Sequence, residues 1–137
     1  MRISKKEYYL NIAYEVCKRS TCLKRHYGAI IVLNDEIKAT GYNGSPRGEI
    51  NCCDIHIECP RKNIKHNSGD YSDCPAVHAE QNAIISAGRK NTLNATLYLA
   101  GEEMIDGKWT RMEKCIPCPI CKRIIKNAGI TDVIGNL

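Results

Sequence analysis

Apolar residues recur at three- and four-residue steps near the start of the chain. Tyr8, Ile12, Ala13, Val16 and Cys17 fall on one face of a helix predicted over 5–19. Ser4 and Glu7 stand at the spacing of a capping box in front of it. The pattern then changes. Residues 28–33 (GAIIVL) form a short unbroken apolar run, as a buried strand does; Asn34-Asp35 supply a turn, and 37–42 return as the second strand of a hairpin. Residues 77–88 (VHAEQNAIISAG) read as a helix ended by Gly88, 95–100 (ATLYLA) as a third strand, and 101–116 as a polar loop. Pro117 introduces a helix over 118–128, Gly129 closes it from the C′ position, and 131–134 form a last short strand. This alternation after an opening hairpin predicts an α/β chain, a three-layer α/β/α sandwich with a mixed four- or five-stranded sheet. No repeat, low-complexity tract or linker divides it, so one domain is expected over 1–137. The stretch 43–75 fits no element, and its length implies that it is functional or pinned by something.

Composition changes this picture at one point. With 43% hydrophobic and 26% charged residues, the chain can bury an ordinary core without disulfides. A net charge of +5 suits a phosphorylated small substrate or weak nucleic-acid contact, and is equally ordinary as a contribution to solubility. The basic residues form no block, and there is no phenylalanine and no basic–aromatic stripe, so nucleic acid is not an expected partner. Charges interleave the apolar residues of the N-terminus, and no stretch is long enough to span a membrane. The anomaly is nine cysteines, an odd number with no export signal. Such a chain is expected in the cytoplasm, holding zinc, and more than one zinc, rather than disulfides.

The sharpest local feature is His78-Ala79-Glu80 with Pro117-Cys118-Pro119-Ile120-Cys121 further on, each at the start of a predicted helix. Residues three apart share a helix face, so Cys118 and Cys121 can reach one ion. With His78 they make a nitrogen–sulfur–sulfur set that leaves the fourth position of a tetrahedral zinc open, as a catalytic site requires. Glu80 lies two residues past His78 and points elsewhere, which suits a proton carrier better than a fourth ligand. Cys115 makes a second, overlapping CxxC with Cys118. Pro117 as the helix start favours Cys118 and Cys121, leaving Cys115 as a plain thiol in the preceding loop. Alone, CxxC is as common at structural zinc corners and HxE says little; together, in this order, they form the signature of zinc nucleobase deaminases.

With TCLKR (21–25) leading into Gly28-Ala29, GYNGSPRG (41–48), HAEQNAI (78–84), PCPIC (117–121) and NAGI (127–130), the chain resembles the deoxycytidylate deaminases of the cytidine deaminase superfamily from about residue 5 to 135. The resemblance implies the cytidine deaminase-like fold and zinc-dependent hydrolysis of dCMP to dUMP and ammonia for dTTP synthesis. The zinc motifs establish the superfamily, and the GYNG block points to dCMP. The resemblance also makes Asn43 a partner of the substrate sugar or phosphate, Lys24 and Arg25 partners of the phosphate, and Ala79 a further substrate-binding residue. It implies a homo-oligomer, a dimer or hexamer, with dCTP and dTTP as effectors and Mg²⁺ accompanying a bound nucleotide. A second, structural zinc follows from the same resemblance, with Cys22, Cys52, Cys59 and Cys74 as ligands and Cys53, His56 and His66 as alternatives.

Two departures from the family remain. The 101–116 segment is long, and its Trp109 folds over the active site, covers a subunit contact or packs on its own surface. The chain also stops soon after the fourth predicted strand. Two rival readings stay open. One is a superfamily enzyme acting on cytidine, cytosine, dCTP or tRNA adenosine, and the other is a non-catalytic zinc module, in which Glu80 would have no purpose.

Overall fold

The computed structural model describes every residue but Asp70. The chain runs α1 (Lys5–Cys17), β1 (Arg25–Leu33), β2 (Glu36–Tyr42), α2 (Cys52–Ile55), α3 (Ala79–Ala87), α4 (Arg89–Thr92), β3 (Thr96–Ile105), β4 (Lys108–Arg111), α5 (Pro119–Asn127) and β5 (Asp132–Ile134). The sheet has five strands in the order β2-β1-β3-β4, with β5 also paired to β3. It is mixed, since β5 runs parallel to β3 and the other pairs are antiparallel.

Strand alternation sorts the apolar run of β1 onto two faces. Ala29 and Ile31, with Leu97 and Leu99 of β3, pack against Ala79, Ala83 and Ala87 of α3 and Ile125 of α5. Ile30 and Val32, with Tyr98 and Ala100, pack against Tyr9, Leu10 and Ala13 of α1. Helices therefore cover both faces, giving the expected three layers. The buried face of α1 is Tyr9, Leu10, Ala13 and Cys17, and Tyr8 is exposed. The three- and four-residue steps thus locate the helix correctly but set its buried stripe one residue off at the first turn.

Three boundaries depart from expectation. β1 starts at Arg25 and not at 28. The segment 101–116 is not simply a loop: its first residues extend β3 and then turn back as β4. Asp106-Gly107, with φ of 49° and 78°, makes the two-residue turn between Ile105 and Lys108 that right-twisted strands favour. Trp109 on β4 stacks on His26 with ring centroids 3.7 Å apart, so it packs on the protein's own surface. Pro117 is also not the helix start. Cys118 is the N-cap of α5 and Pro119 occupies the first turn, where its missing N–H costs nothing. Gly129, at φ 79°, follows the Ala128 cap, and the N–H groups of Gly129 and Ile130 return to the carbonyls of Lys126 and Ile125.

The two covering helices reach the sheet at glycines. A Cβ on Gly28 would lie 2.1 Å from the Ala13 carbonyl oxygen and 2.5 Å from the Cys17 nitrogen, both of α1. One on Gly41 would lie 2.4 Å from the Ala83 nitrogen and 2.5 Å from the Ala79 oxygen, both of α3. Gly28→Ala should therefore push α1 off β1 and destabilise the fold by about 1–3 kcal/mol, toward the upper end because backbone and not side chain stands in the way. Urea unfolding measures this.

Candidate active site and metal centre

Two helix N-termini meet at one end of the sheet, and each presents its cap residue. His78 is the N-cap of α3, and its N–H donates to Oε1 of Gln81, three residues on, at 2.9 Å. Cys118 is the N-cap of α5, and its sulfur accepts the N–H of Cys121, also three residues on, at 3.4 Å. The CxxC spacing is thus an N-cap–N3 pair, in which sulfur takes the place of the usual cap oxygen. A helix N-terminus favours negative charge, here a thiolate.

Nδ1 of His78 lies 3.5 Å from the Cys118 sulfur and 3.3 Å from the Cys121 sulfur. Zinc–nitrogen and zinc–sulfur bonds of ordinary length at a tetrahedral angle separate the two donor atoms by about 3.5 Å, so these residues fit a zinc ion. The three ligand atoms lie within 4.8 Å of one another, and no fourth ligand joins them among the described residues. Without a cation the arrangement is uncomfortable. Burial, then the nearby Glu80 carboxylate and the Cys118 sulfur, push the Cys121 thiol far up. A divalent cation is the partner such a thiolate needs.

Glu80 sits in the first turn of α3 and is only 5% exposed. Burial raises its carboxyl above the ordinary range, opposed by its own backbone N–H, the charge of His78 and the Cys121 thiol. The carboxyl is beside the ligand group and not within it. Cys115, the thiol of the overlapping CxxC, is buried in the apolar core and pushed up to about 11 by desolvation; its N–H bonds to the Gly135 carbonyl.

His78, Glu80 and Cys118 line a cleft of about 800 Å³, counted out to its open mouth. Ala79, Asn43 and Leu99 are buried members of its lining, Tyr27, Lys24 and Arg25 are half-buried ones, and His66 and Tyr71 are exposed. Asn43 is buried, and its amide is held by β1: Oδ1 accepts the Tyr27 N–H at 2.8 Å and Nδ2 donates to the Arg25 carbonyl at 2.9 Å. Next to it, Gly44 and Val77 exchange both backbone hydrogen bonds, which fixes the chain entering His78. The Lys24 ammonium bonds to the carbonyls of Arg61 and Ile64, so it braces the long loop. Arg25 reaches His66 and Glu103. Tyr27, Arg61, His66 and Tyr71 were not indicated as cleft residues by the sequence. No local spacing marks them: Tyr27 enters on β1, and Arg61, His66 and Tyr71 belong to the loop that Lys24 braces.

The other cysteines gather less tightly. Burial raises the Cys52 thiol, and so do the neighbouring Cys22, Cys59, Cys74 and Cys53 thiols. Cys22 and Cys59 each accept a backbone N–H from two residues on, Lys24 at 3.5 Å and Arg61 at 3.4 Å. The ligand atoms of Cys22, Cys52, Cys59 and Cys74 are not all within 4.8 Å of one another. Cys53 is exposed, its thiol directed to Asp54, and His56 is exposed as well. Among the described residues all nine cysteines are free of disulfides, and no helix is long and apolar enough to cross a membrane.

Residues 3–136 match the cytidine and deoxycytidylate deaminase zinc-binding region. The chain is 37% identical over 129 residues to a deoxycytidylate deaminase of Schizosaccharomyces pombe, covering 93% of this chain and 35% of that protein. It is 33% identical over 134 residues to the deoxycytidylate deaminase of Mycobacterium phage D29, covering 93% of this chain and 91% of the phage protein. The chain thus spans about a third of the yeast relative and nearly all of the phage one. The crystal structure of dCMP deaminase from cyanophage S-TIM5 in complex with dCMP and dUMP superposes with a TM-score of 0.65 at 28% identity, over 97% of this chain and 81% of that one.

The environment of Glu80 has a measurable cost in the metal-free protein. A carboxyl whose folded pKa is raised loses the folded state stability as pH climbs from its unfolded value toward its folded one. Metal-free Glu80→Gln should therefore be more stable than the parent at pH 7, with the difference closing toward pH 4, as followed by thermal unfolding.

Proposed function

This chain belongs to the cytidine and deoxycytidylate deaminase family, and on that premise we propose that it catalyses zinc-dependent hydrolysis of dCMP to dUMP and ammonia, supplying dUMP for dTTP synthesis. The observation that carries the reading is the His78–Cys118–Cys121 group beside a buried Glu80, at a cleft that Lys24 and Arg25 also line. Its match to a phage deoxycytidylate deaminase of similar length supports the substrate.

In this reading His78, Cys118 and Cys121 hold the zinc. A zinc ion there supplies Lewis acidity, which makes water a nucleophile near neutral pH. Glu80 moves the protons. Its carboxylate accepts one from the attacking water and passes it to the ring nitrogen N3, where it stays in the uracil product. It then takes the remaining proton of the new hydroxyl at C4 and delivers it to the departing amine, so that ammonia leaves and the carbonyl forms. Burial suits Glu80 to this exchange, because a raised carboxyl pKa lies nearer the working pH. Ala79, at the first position of α3, offers an N–H with no partner inside the helix to the pyrimidine carbonyl. Asn43, held rigid by β1, offers its second amide N–H to the sugar or phosphate. Arg25 and Lys24 supply positive charge to the phosphate, Lys24 without leaving its brace.

A second, structural zinc belongs to the same proposal, held by Cys22, Cys52, Cys59 and Cys74. Its support is that these thiols stand near enough to one another to raise that of Cys52, a crowding that a bound cation would relieve, and that two of the sulfurs already accept backbone N–H groups. Unpaired cysteines support a reducing, cytoplasmic setting. Exposed Ile50, Ile55, Ile57 and Ile85 support assembly into a dimer or hexamer. Control by dCTP and dTTP with Mg²⁺ follows the family resemblance, and 1–137 acts as one catalytic domain.

Assays of dCMP, deoxycytidine, cytosine and an adenosine-bearing RNA stem-loop side by side should show dCMP turned over best; activity on the RNA alone would refute the substrate. Glu80→Gln should lower kcat by about 10²–10⁴ with zinc content unchanged, read by ultraviolet absorbance and elemental analysis. Replacing Cys22 and Cys59 together by serine should remove about one zinc per chain and lower the thermal midpoint.

A further inference from the structure

The two helix caps that bring the donor atoms together are built differently. On α5 the cap Cys118 and the residue three on, Cys121, both belong to the group, and the Cys121 N–H holds the Cys118 sulfur. On α3 the cap His78 belongs to the group, whereas the residue three on, Gln81, lies outside it. Gln81 instead turns its carboxamide back, and Oε1 accepts the His78 N–H at 2.9 Å. This is the return bond of a capping box, in which glutamine or glutamate serves the N–H of the cap residue itself.

Elsewhere around His78 the backbone is held by backbone. Val77, just before it, exchanges both hydrogen bonds with Gly44, and the His78 carbonyl accepts the Asn82 N–H at 3.0 Å. The His78 N–H is the exception, because its partner is a side chain. That bond restrains rotation about N–Cα of a residue still in the extended conformation of a cap, φ −74° and ψ 153°. A binding constellation tolerates about 0.5 Å or 10–20° of such movement. Nδ1 stands 3.3 and 3.5 Å from two different sulfurs, so a swing of the imidazole alters its fit to both at once.

We propose that Gln81 is a positioning residue for the metal: by holding the His78 N–H it presets the imidazole for zinc, and so raises zinc affinity without touching the ion. On α5 the same office falls to a member of the group, since the Cys121 N–H steadies the Cys118 sulfur. A carboxamide performs it without adding a second negative charge to a first turn that already carries Glu80. The proposal deepens the reading of His78, Cys118 and Cys121 as a zinc group and rests on it.

Zinc affinity tests this without requiring turnover. Competition with a chromophoric chelator reads it, on the zinc that His78→Ala lacks. Gln81→Met, similar in length but without the oxygen, should weaken that zinc about tenfold. This is the lower end of the usual cost of losing an outer partner of a metal ligand, because the bond goes to backbone and not to the ring. Gln81→Ala, a better helix former, should weaken it as much, which separates the effect from helix propensity. Gln81→Glu keeps an acceptor and should hold parental affinity or better. Amide exchange followed by NMR on the metal-free proteins should find the His78 N–H protected in the parent and in Gln81→Glu, and open in Gln81→Met. A merely structural role would lower the melting point of metal-free Gln81→Met and Gln81→Ala and leave the zinc affinity of the folded proteins unchanged. That result, or an unprotected His78 amide in the parent, overturns the proposal. Full zinc content in His78→Ala removes the metal reading, and the proposal with it. A zinc lost in His78→Ala but indifferent to Gln81→Met leaves the reading standing and removes only the role of Gln81.

Discussion

The approach of α3 to β2 is the constraint on which the site depends. Sheet and helix meet at Gly41, where even one added carbon would collide with the backbone at Ala79 and Ala83. The alanine stripe of α3 makes the helix side of that contact as bare as the strand side. A closely packed interface has little freedom to slide or tilt, because its neighbours are backbone atoms and not pliable side chains. The N-terminus of α3 is therefore fixed relative to the end of the sheet. Two more residues of the same GYNG segment complete the fixation: Asn43 ties to β1 and Gly44 pairs with Val77, just before His78. The GYNG segment thus builds the frame of the candidate site.

The same economy appears at the metal centre. His78 and Cys118 are cap residues, so the backbone that starts each helix also sets where each donor atom lies. Cys121 and Gln81 occupy equivalent positions one turn in, one offering its sulfur beside His78 and one serving as the partner of its cap. Against these favourable arrangements stands Glu80, buried where a carboxylate is poorly solvated. Such a site trades stability for chemistry, and the packing of α3 on the sheet has to offset it.

Legibility in the sequence followed the range of the interactions. The helices α1, α3 and α5, the hairpin turn at Asn34-Asp35 and the C-terminal stop at Gly129 are local and were readable from spacing, whereas the single-turn helices α2 and α4 are too short to show a period. So was the grouping of His78, Cys118 and Cys121, because each half is a cap motif contained within one turn of helix. The β3–β4 hairpin was missed although Asp106-Gly107 is a strong turn signal, since the charged residues around it carry no clean alternation. The first turn of β1 was missed because Arg25, His26 and Tyr27 are polar and become strand through pairing with 101–103, far along the chain. The cleft walls were hidden for the same reason. His66, Arg61 and Tyr71 reach the site through a loop whose course is set by Lys24 and by thiols, and neither leaves a periodic trace.

Trp109 is the chain's one tryptophan, and it lies flat on the His26 ring. That imidazole in turn bonds to Glu102 and to the carbonyl of Cys22, a cleft-lining residue in the connection between α1 and β1. Nearly all fluorescence excited at the red edge of the protein's absorption therefore originates from a single indole, coupled through one ring to the Cys22 segment of the cleft lining. The protein carries an optical gauge of that side of the cleft, built from its own side chains and needing no added label.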